Sequence, residues 1–376
     1  MNVRTSAEIR KVLCQRGAVQ GVPVSGIFEL TPRCNLRCKM CYVRLTPEQM
    51  APIGQELTAS QWLMLAKEAK DQGLIFLLLT GGEPTLRTDF PEIYENLATM
   101  GFSISINTNG TLLTPELKQL WHQLPPAQVN VTLYGACRED YEALCGDGSA
   151  FDRVCDCLDW LAQEGILIHL NTTITPENQG SLVAIEEFAR NRGLELRLTA
   201  YCFPPARRSE CNTCPSFHRL EPETAARLMI QDHLYQEGPE LLKLRASRLN
   251  TPPQAECDLN VGDAMSCMAG RAQFWMSWNG VMSPCGMFTQ PQALPLEQGF
   301  CTAWESLRHQ VDAIRLCPEC ATCPDKATCM NCAAVTYTET GSFSGTPDYM
   351  CRLNRSYRQQ LIETAATLNE NGPEEA

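Results

Sequence analysis

Cys34-Asn-Leu-Arg-Cys38-Lys-Met-Cys41 sets three thiols on one short stretch, directly after a run of strand-forming residues. Thiolates suit iron–sulfur clusters, copper(I) and zinc. A cubane cluster has one more iron than this triplet has cysteines. The vacant iron could bind a small ligand and hand it an electron, whereas a fully ligated cluster only relays electrons. The alternative is a structural zinc that borrows a fourth ligand from elsewhere. Gly81-Gly82-Glu83-Pro84 follows a second apolar run. Glycines permit close backbone approach.

A second concentration of sulfur fills the C-terminal third. Cys267 is followed by twelve residues, Gly280, four residues and Cys285; then come Cys320-x2-Cys323-x5-Cys329-x2-Cys332 and Cys351. Cysteine pairs at such separations read as iron–sulfur or zinc-ribbon ligands. The count of 21 cysteines is odd, and clusters such as Cys317, Cys320 and Cys323 suit thiolate ligation better than disulfides. Cys202, Cys211 and Cys214 with His218 form another possible ligand set, whereas Cys14, Cys137, Cys145, Cys155 and Cys157 read as small buried hydrophobes. Arg207 and Arg208 read as a solvated surface pair.

The elements that must carry these residues follow from periodicity. Candidate strands are Ile27–Thr31, Leu74–Thr80, Phe102–Asn107, Gln128–Tyr134, Ile166–Thr173 and Leu194–Tyr201. Helical spacing marks Ser60–Gln72, Asp89–Met100, Pro115–Gln123, Phe151–Glu164 and Ser181–Arg192 between them. Leu74–Leu79 is apolar throughout, as in a strand buried on both faces of a parallel sheet. Such alternation implies right-handed βαβ units and an α/β fold: a partial (β/α)6 TIM-like barrel, with chemistry at the C-terminal ends of its strands. The expected division is an N-terminal helical segment (1–22), the barrel (23–220), a helical linker (221–256), a small Cys-rich α+β module (257–353) held by metal, and a terminal helix and tail (354–376).

Composition narrows the classes. The chain has 376 residues and a net charge of −12, which argues against a general nucleic-acid binder. Nothing resembles a signal peptide, and no apolar run is long enough to cross a membrane. A soluble, cytoplasmic and oxygen-sensitive protein is expected.

The triplet, the aromatic Tyr42 that follows it, and Gly81-Gly82-Glu83-Pro84 resemble the signature of the radical S-adenosylmethionine (SAM) superfamily. The resemblance implies that Cys34, Cys38 and Cys41 hold a 4Fe–4S cluster whose open iron is chelated by SAM, with Gly81, Gly82, Glu83 and Pro84 against the cofactor's amino group. It implies that Asn109, Thr132 and Asn171 contact the cofactor's ribose or carboxylate; Tyr134 stands where relatives commonly carry a carboxylate. The C-terminal pattern resembles the SPASM module of enzymes that modify peptides and proteins, with two residues rather than three between Cys329 and Cys332. By that resemblance Cys320, Cys323, Cys329 and Cys351 hold a distal auxiliary 4Fe–4S cluster. Cys267, Cys285 and Cys332 hold a nearer one, whose fourth site is Cys257 or open. Two or three cubanes give roughly 8–12 irons per chain.

The implied activity is reductive cleavage of SAM to a 5′-deoxyadenosyl radical, fed by a low-potential donor such as flavodoxin or ferredoxin. The radical abstracts hydrogen from a peptide or protein, as in thioether or carbon–carbon crosslinking of a ribosomally made peptide. An anaerobic sulfatase-maturing, formylglycine-forming enzyme is the rival. Only about 33 residues precede the first cluster cysteine, which suits that rival, but Gly286 stands where such enzymes usually carry aspartate. A non-catalytic iron–sulfur electron-transfer protein is the reading from another class.

Overall fold

The computed structural model describes residues 6–204, 218–249, 264–265, 267–323, 325–326 and 329–370. Its elements run α1 (Ser6–Gln20), β1 (Ser25–Glu29), α2 (Pro47–Met50), α3 (Ala59–Asp71), β2 (Phe76–Thr80), α4 (Phe90–Thr99), β3 (Ser103–Thr108), α5 (Pro115–Gln123), β4 (Gln128–Thr132), α6 (Arg138–Cys145), α7 (Ala150–Gln163), β5 (Ile168–Thr173), α8 (Leu182–Asn191) and β6 (Glu195–Thr199). Then follow α9 (Pro222–Ser247), β7 (Gln273–Met276), β8 (Met282–Ser283), α10 (Pro295–Gln298), α11 (Phe300–Asp312), α12 (Pro318–Ala321), α13 (Ala333–Thr340) and α14 (Asp348–Glu370).

The sheet order is β6-β5-β4-β3-β2-β1-β7-β8. Strands β1 to β6 pair in parallel, which makes the partial (β/α)6 barrel, and each lies within two residues of its expected span. Parallel pairing brings the C-terminal ends of all six to one rim. Strand β7 adds to the outer side of β1, also in parallel, and β8 turns back antiparallel. The Cys-rich C-terminal part is thus hydrogen-bonded into the barrel sheet. Phe274 on β7 packs against Phe28 on β1 and Phe300 on α11, with centroids 6.3 and 5.1 Å away.

Period-two alternation separates the two faces of the sheet. Phe28, Leu77, Leu79, Ile104, Ile106, Val129, Val131 and Leu170 are buried against the helices, where Trp62, Leu65, Ile93, Leu97, Trp121 and Leu158 complete the core. Thr58 and Gln61 form a capping box that starts α3 in the orientation this packing needs. The opposite face carries Ser105, Asn107, Asn130, Thr132 and Asn171, each half-buried. This corrects the reading of Leu74–Leu79 as a strand covered on both sides. Phe76 and Leu78 are half-buried, because they alternate with Leu77 and Leu79 and point away from the helix layer; Ile75, exposed, precedes the strand.

Helices α2, α6, α10, α12 and α13 and the β7–β8 pair had no expectation. Helix α6 is short and charged, lacks a side-chain cap bond at Cys137, and stops at Gly146 in the left-handed region (φ 71°). The continuous helix expected after Pro222 is broken at Gly238 (φ 80°), before Pro239. Among the described residues no helix is long and apolar enough to cross a membrane.

One buried cation braces the rim. Arg87 donates to the Leu30 carbonyl at 2.8 Å and the Leu57 carbonyl at 2.9 Å, and pairs with Asp89 at 2.7 Å. Those bonds fix the chain where β1 runs into the cysteine loop. Arg87→Met should therefore cost about 3 kcal/mol, since it leaves acceptors and an acid unpaired, and should lower the Tm measured by thermal denaturation. Far from the rim, burial with Asp232 nearby lifts the Glu186 carboxyl to about 7. Such a group holds its proton better folded than unfolded, so stability falls as pH rises from the unfolded value of 4.5 through about 7. Glu186→Gln should raise Tm at pH 8 and leave it unchanged near pH 4.

Candidate active site at the C-terminal rim

The loop after β1 carries all three cysteines of the triplet. Cys38 is buried, and Cys34 and Cys41 are partly buried. Cys34 lies within electrostatic reach of Cys38, Cys41 and Glu83. Amide donors already face the sulfurs. Leu36 N–H points at Cys34 Sγ (3.4 Å), Arg44 N–H at Cys41 Sγ (3.3 Å), and Asn109 Nδ2 at Cys34 Sγ (3.6 Å). Burial pushes the Cys34 thiol up to about 12, so ionising it needs a nearby cation.

Gly81 and Gly82 lie flat against the same loop. Gly82 N–H bonds the Thr31 carbonyl at 2.7 Å, and Glu83 N–H bonds that of Arg33 at 2.8 Å. A Cβ on Gly82 would fall 2.3 Å from the Arg33 carbonyl oxygen, and one on Gly81 2.4 Å from that of Thr31. Only a residue without a side chain lets these segments touch. Pro84 is buried and opens a short 3-10 turn.

The geometry gives Glu83 a different task from the amine contact read in the sequence. Its carboxylate is wholly buried. It accepts from Thr85 N (3.1 Å), Thr85 Oγ1 (2.6 Å), Thr108 Oγ1 (2.9 Å) and Asn109 N (2.7 Å). It is engaged by the protein itself, and burial raises its pKa despite these donors. The segment presents backbone to the rim, and the acid holds that backbone in place.

Asn109 is fixed by Thr111, whose N–H and hydroxyl both donate to its Oδ1, so its amide nitrogen faces Cys34 and Asn35. Thr132 and Asn171 are direct partners across β4 and β5 on the concave face. Beside them, unforeseen, Asn130 Nδ2 donates to Asn107 Oδ1 at 2.8 Å. Polar residues alternating along consecutive strands were the signal for this stripe. Tyr42 packs with Phe203 and Cys285 against a second apolar cluster built around Met265, Met287, Phe288 and Val311. The triplet loop therefore adjoins the Cys-rich part. Tyr134 and Cys145 lie within electrostatic reach of Cys38. The end of α6 is tied to the triplet loop by Arg37 N–H to the Cys145 carbonyl and Lys39 N–H to the Leu144 carbonyl, both at 3.1 Å.

The C-terminal thiols fall into groups. Cys351 lies within electrostatic reach of Cys320, Cys323 and Cys329, and Cys329 is also within reach of Cys320 and Cys323. The buried Cys317, which donates to Glu319 at 2.9 Å, is within reach of Cys320 and Cys351. Asn354 Nδ2 points at Cys329 Sγ (3.2 Å) and its Oδ1 accepts from Met330 N–H. Cys267 and Cys332 feel one another. Every described cysteine is a free thiol. His218 pairs with Glu177 at 2.8 Å, and burial pushes Cys202 up to about 12. Cys14, Cys137 and Cys155 are only partly buried, which corrects their reading as buried hydrophobes; Cys145 and Cys157 are buried. Arg207, Arg208, Cys211, Cys214 and Cys257 lie outside the described residues.

Whether the triplet suits an iron–sulfur cluster is answered by its donor set. Three thiols share one loop, N–H groups face two of the sulfurs, and apolar residues Leu36 and Leu133 are buried nearby. Among the described residues no three His, Cys, Asp or Glu side chains converge on one point as the ligands of a single ion do. Three thiols on one loop, two of them facing amide donors, suit an iron–sulfur cluster.

Comparison with known proteins agrees in kind. The family profile described as the Radical SAM superfamily matches residues 28–189. An AdoMet-dependent heme synthase from Methanosarcina barkeri is 26% identical over 340 residues, spanning 87% of this chain and 95% of that protein. Among solved structures, Streptococcus suis SuiB bound to precursor peptide SuiA shares the fold with a TM-score of 0.67 at 16% identity, over 92% of this chain and 79% of SuiB. The AdoMet-bound anSMEcpe also scores 0.67, at 15% identity, over 92% of this chain and 100% of that one.

Gly82→Ala should force the 81–83 segment off the cysteine loop. We expect iron content after anaerobic reconstitution to fall at least severalfold, while the far-UV circular dichroism stays that of the parent.

Proposed function

We propose, for a chain that belongs to the radical SAM superfamily, that it oxidises a peptide or protein substrate. The observation that carries the reading is the triplet loop, seated at the barrel rim with Gly81–Gly82 packed against it. Cys34, Cys38 and Cys41 would hold the 4Fe–4S cluster. When bound, that cluster supplies one electron to S-adenosylmethionine, giving a radical able to take hydrogen from an unactivated carbon. The backbone of Gly81 and Gly82, packed against the cysteine loop, would lie alongside the cofactor's methionine end. The amides and hydroxyl of Asn109, Thr132 and Asn171 suit its carboxylate and ribose. Glu83 keeps the rim rigid, so the reacting groups need little reorganisation.

We assign residues 23–220 to the barrel and 257–353 to an auxiliary-cluster module of the SPASM type. Cys320, Cys323, Cys329 and Cys351 would hold a distal cluster there, and Cys267, Cys285 and Cys332 a nearer one. Such clusters would take the electron released as the substrate is oxidised. A flavodoxin or ferredoxin would supply the first one.

Support for a peptide comes from the sheet. Strand β6 ends the sheet, and its Glu195, Arg197 and Thr199 are exposed. The end strand of a sheet is where an extended chain can pair through its backbone. The shared fold with SuiB, whose structure holds a precursor peptide, points the same way. Within this class, formylglycine formation is disfavoured at Gly286. A Cβ there would lie 2.7 Å from the Trp275 ring, and that indole is held by Glu29 at 2.8 Å, so aspartate does not fit. An iron porphyrin is the second reading, favoured by a heme synthase that aligns along nearly its whole length.

Anaerobic protein given dithionite and S-adenosylmethionine should release 5′-deoxyadenosine, and Cys34→Ala, Cys38→Ala or Cys41→Ala should lower that release at least 100-fold. No release above background from iron-loaded protein would overturn the reading. A substrate peptide should lose two hydrogens per turnover by mass spectrometry, whereas conversion of an iron porphyrin, followed by its visible spectrum, would select the second reading.

A further inference from the structure

Helix α14 grips the ligand loop of the Cys-rich part at two places. Arg358 pairs with Asp325 at 3.6 Å, and Asn354, only 5% exposed, reaches both Cys329 and Met330. Cys351 and Asn354 stand three residues apart on this helix and so share a face. One helix face therefore brings a thiol to the set proposed for the distal cluster and an amide to another member of that set.

The amide has a single orientation. Its Oδ1 accepts from Met330 N–H at 3.0 Å, while its Nδ2 donates to the Met350 carbonyl at 2.9 Å and points at Cys329 Sγ at 3.2 Å. A backbone N–H only donates and a backbone carbonyl only accepts, so exchanging the oxygen and nitrogen would break both backbone bonds. One hydrogen of Nδ2 is thus left for the sulfur. An amide does not titrate, so this donor needs no particular protonation state.

We infer that Asn354 is a positioning residue of the distal cluster, whose side-chain amide donates to the Cys329 sulfur and raises that cluster's reduction potential. The inference rests on the assignment of Cys320, Cys323, Cys329 and Cys351 proposed above. Hydrogen bonds to its sulfurs are among the factors that set a cluster's potential. A donor draws charge from the sulfur and so favours the reduced, more negative state. That direction suits a cluster whose proposed task is to accept an electron. Asn354 acts through Cys329 and is not itself a ligand.

The test uses the full chain, reconstituted anaerobically, with iron assayed and the electron paramagnetic resonance signals titrated against potential. The signal that Cys320→Ala/Cys323→Ala removes, together with about four irons, belongs to the distal cluster. Asn354→Asp keeps an acceptor for Met330 N–H but no amide hydrogen for the sulfur, and Asn354→Leu keeps only the shape. Both should move the midpoint of that signal to more negative values at unchanged iron content. Asn354→Gln, which keeps an amide, should shift it less. Midpoints equal to the parent's at equal iron would overturn the inference. So would loss of the distal signal from Asn354→Asp and Asn354→Gln alike, because it would make Asn354 a support of the fold alone. Should Asn354→Leu fail to fold, the other two variants decide the matter. If the parent has no signal that Cys320→Ala/Cys323→Ala removes, the cluster assignment fails instead, a separate result.

Discussion

At the end of β2 the carboxylate of Glu83 is taken wholly out of water, and the rim is organised around satisfying it. Burying an acid is costly unless it is hydrogen-bonded. Here the donors come from its own turn, Thr85, and from the end of the next strand, Thr108 and Asn109. Bonds to a charged group contribute about 1.5–3 kcal/mol each. The arrangement ties β2 to β3 at the point where Asn109 must reach across to Cys34. Misplacing that acid would loosen both the glycine segment and the amide facing the first sulfur.

A second constraint is contact between backbones. The cysteine loop and the Gly81–Gly82 segment approach so closely that their carbonyls occupy the space a side chain would need. Arg87 holds the loop's entry from beneath, through the carbonyls of Leu30 and Leu57. The loop is thus gripped at its start by a buried cation, along its side by glycine backbone, and at its middle by the end of α6. Such a loop can present three sulfurs in a set geometry without spending regular secondary structure on them.

The barrel and the Cys-rich part share structure rather than a hinge. Strand β7 extends the parallel sheet, Trp275 reaches Glu29 inside it, and Tyr42 joins Cys285 in one apolar cluster. At the far end, Glu339 on α13 accepts from Tyr201 and Arg219, and Arg219 lies 3.8 Å over the ring of Tyr349. Electron transfer between sites on the two parts, as proposed, would cross a continuous, packed medium.

Much of this could be read from residue order. Spacing marked the triplet, the glycine pair and the C-terminal cysteines, because local chemistry needs local ligands. Six strands and their helices followed from periodicity, since one face of each must be buried. Other features depended on distant partners. Nothing in α6 announced that its final turn would bring Cys145 to Cys38, and Cys145 read as one more small apolar residue. Glu83 looked like a ligand for an amine until its neighbours on β3 were seen to claim it. The concave asparagine stripe became a surface only when β3, β4 and β5 were set in register. The sequence by itself determined which groups could do chemistry and which segments fold, both being short-range properties. The tertiary structure alone decided which side chains are used up in holding the site and which are left to face a ligand, because hydrogen bonds between strand ends depend on register and burial.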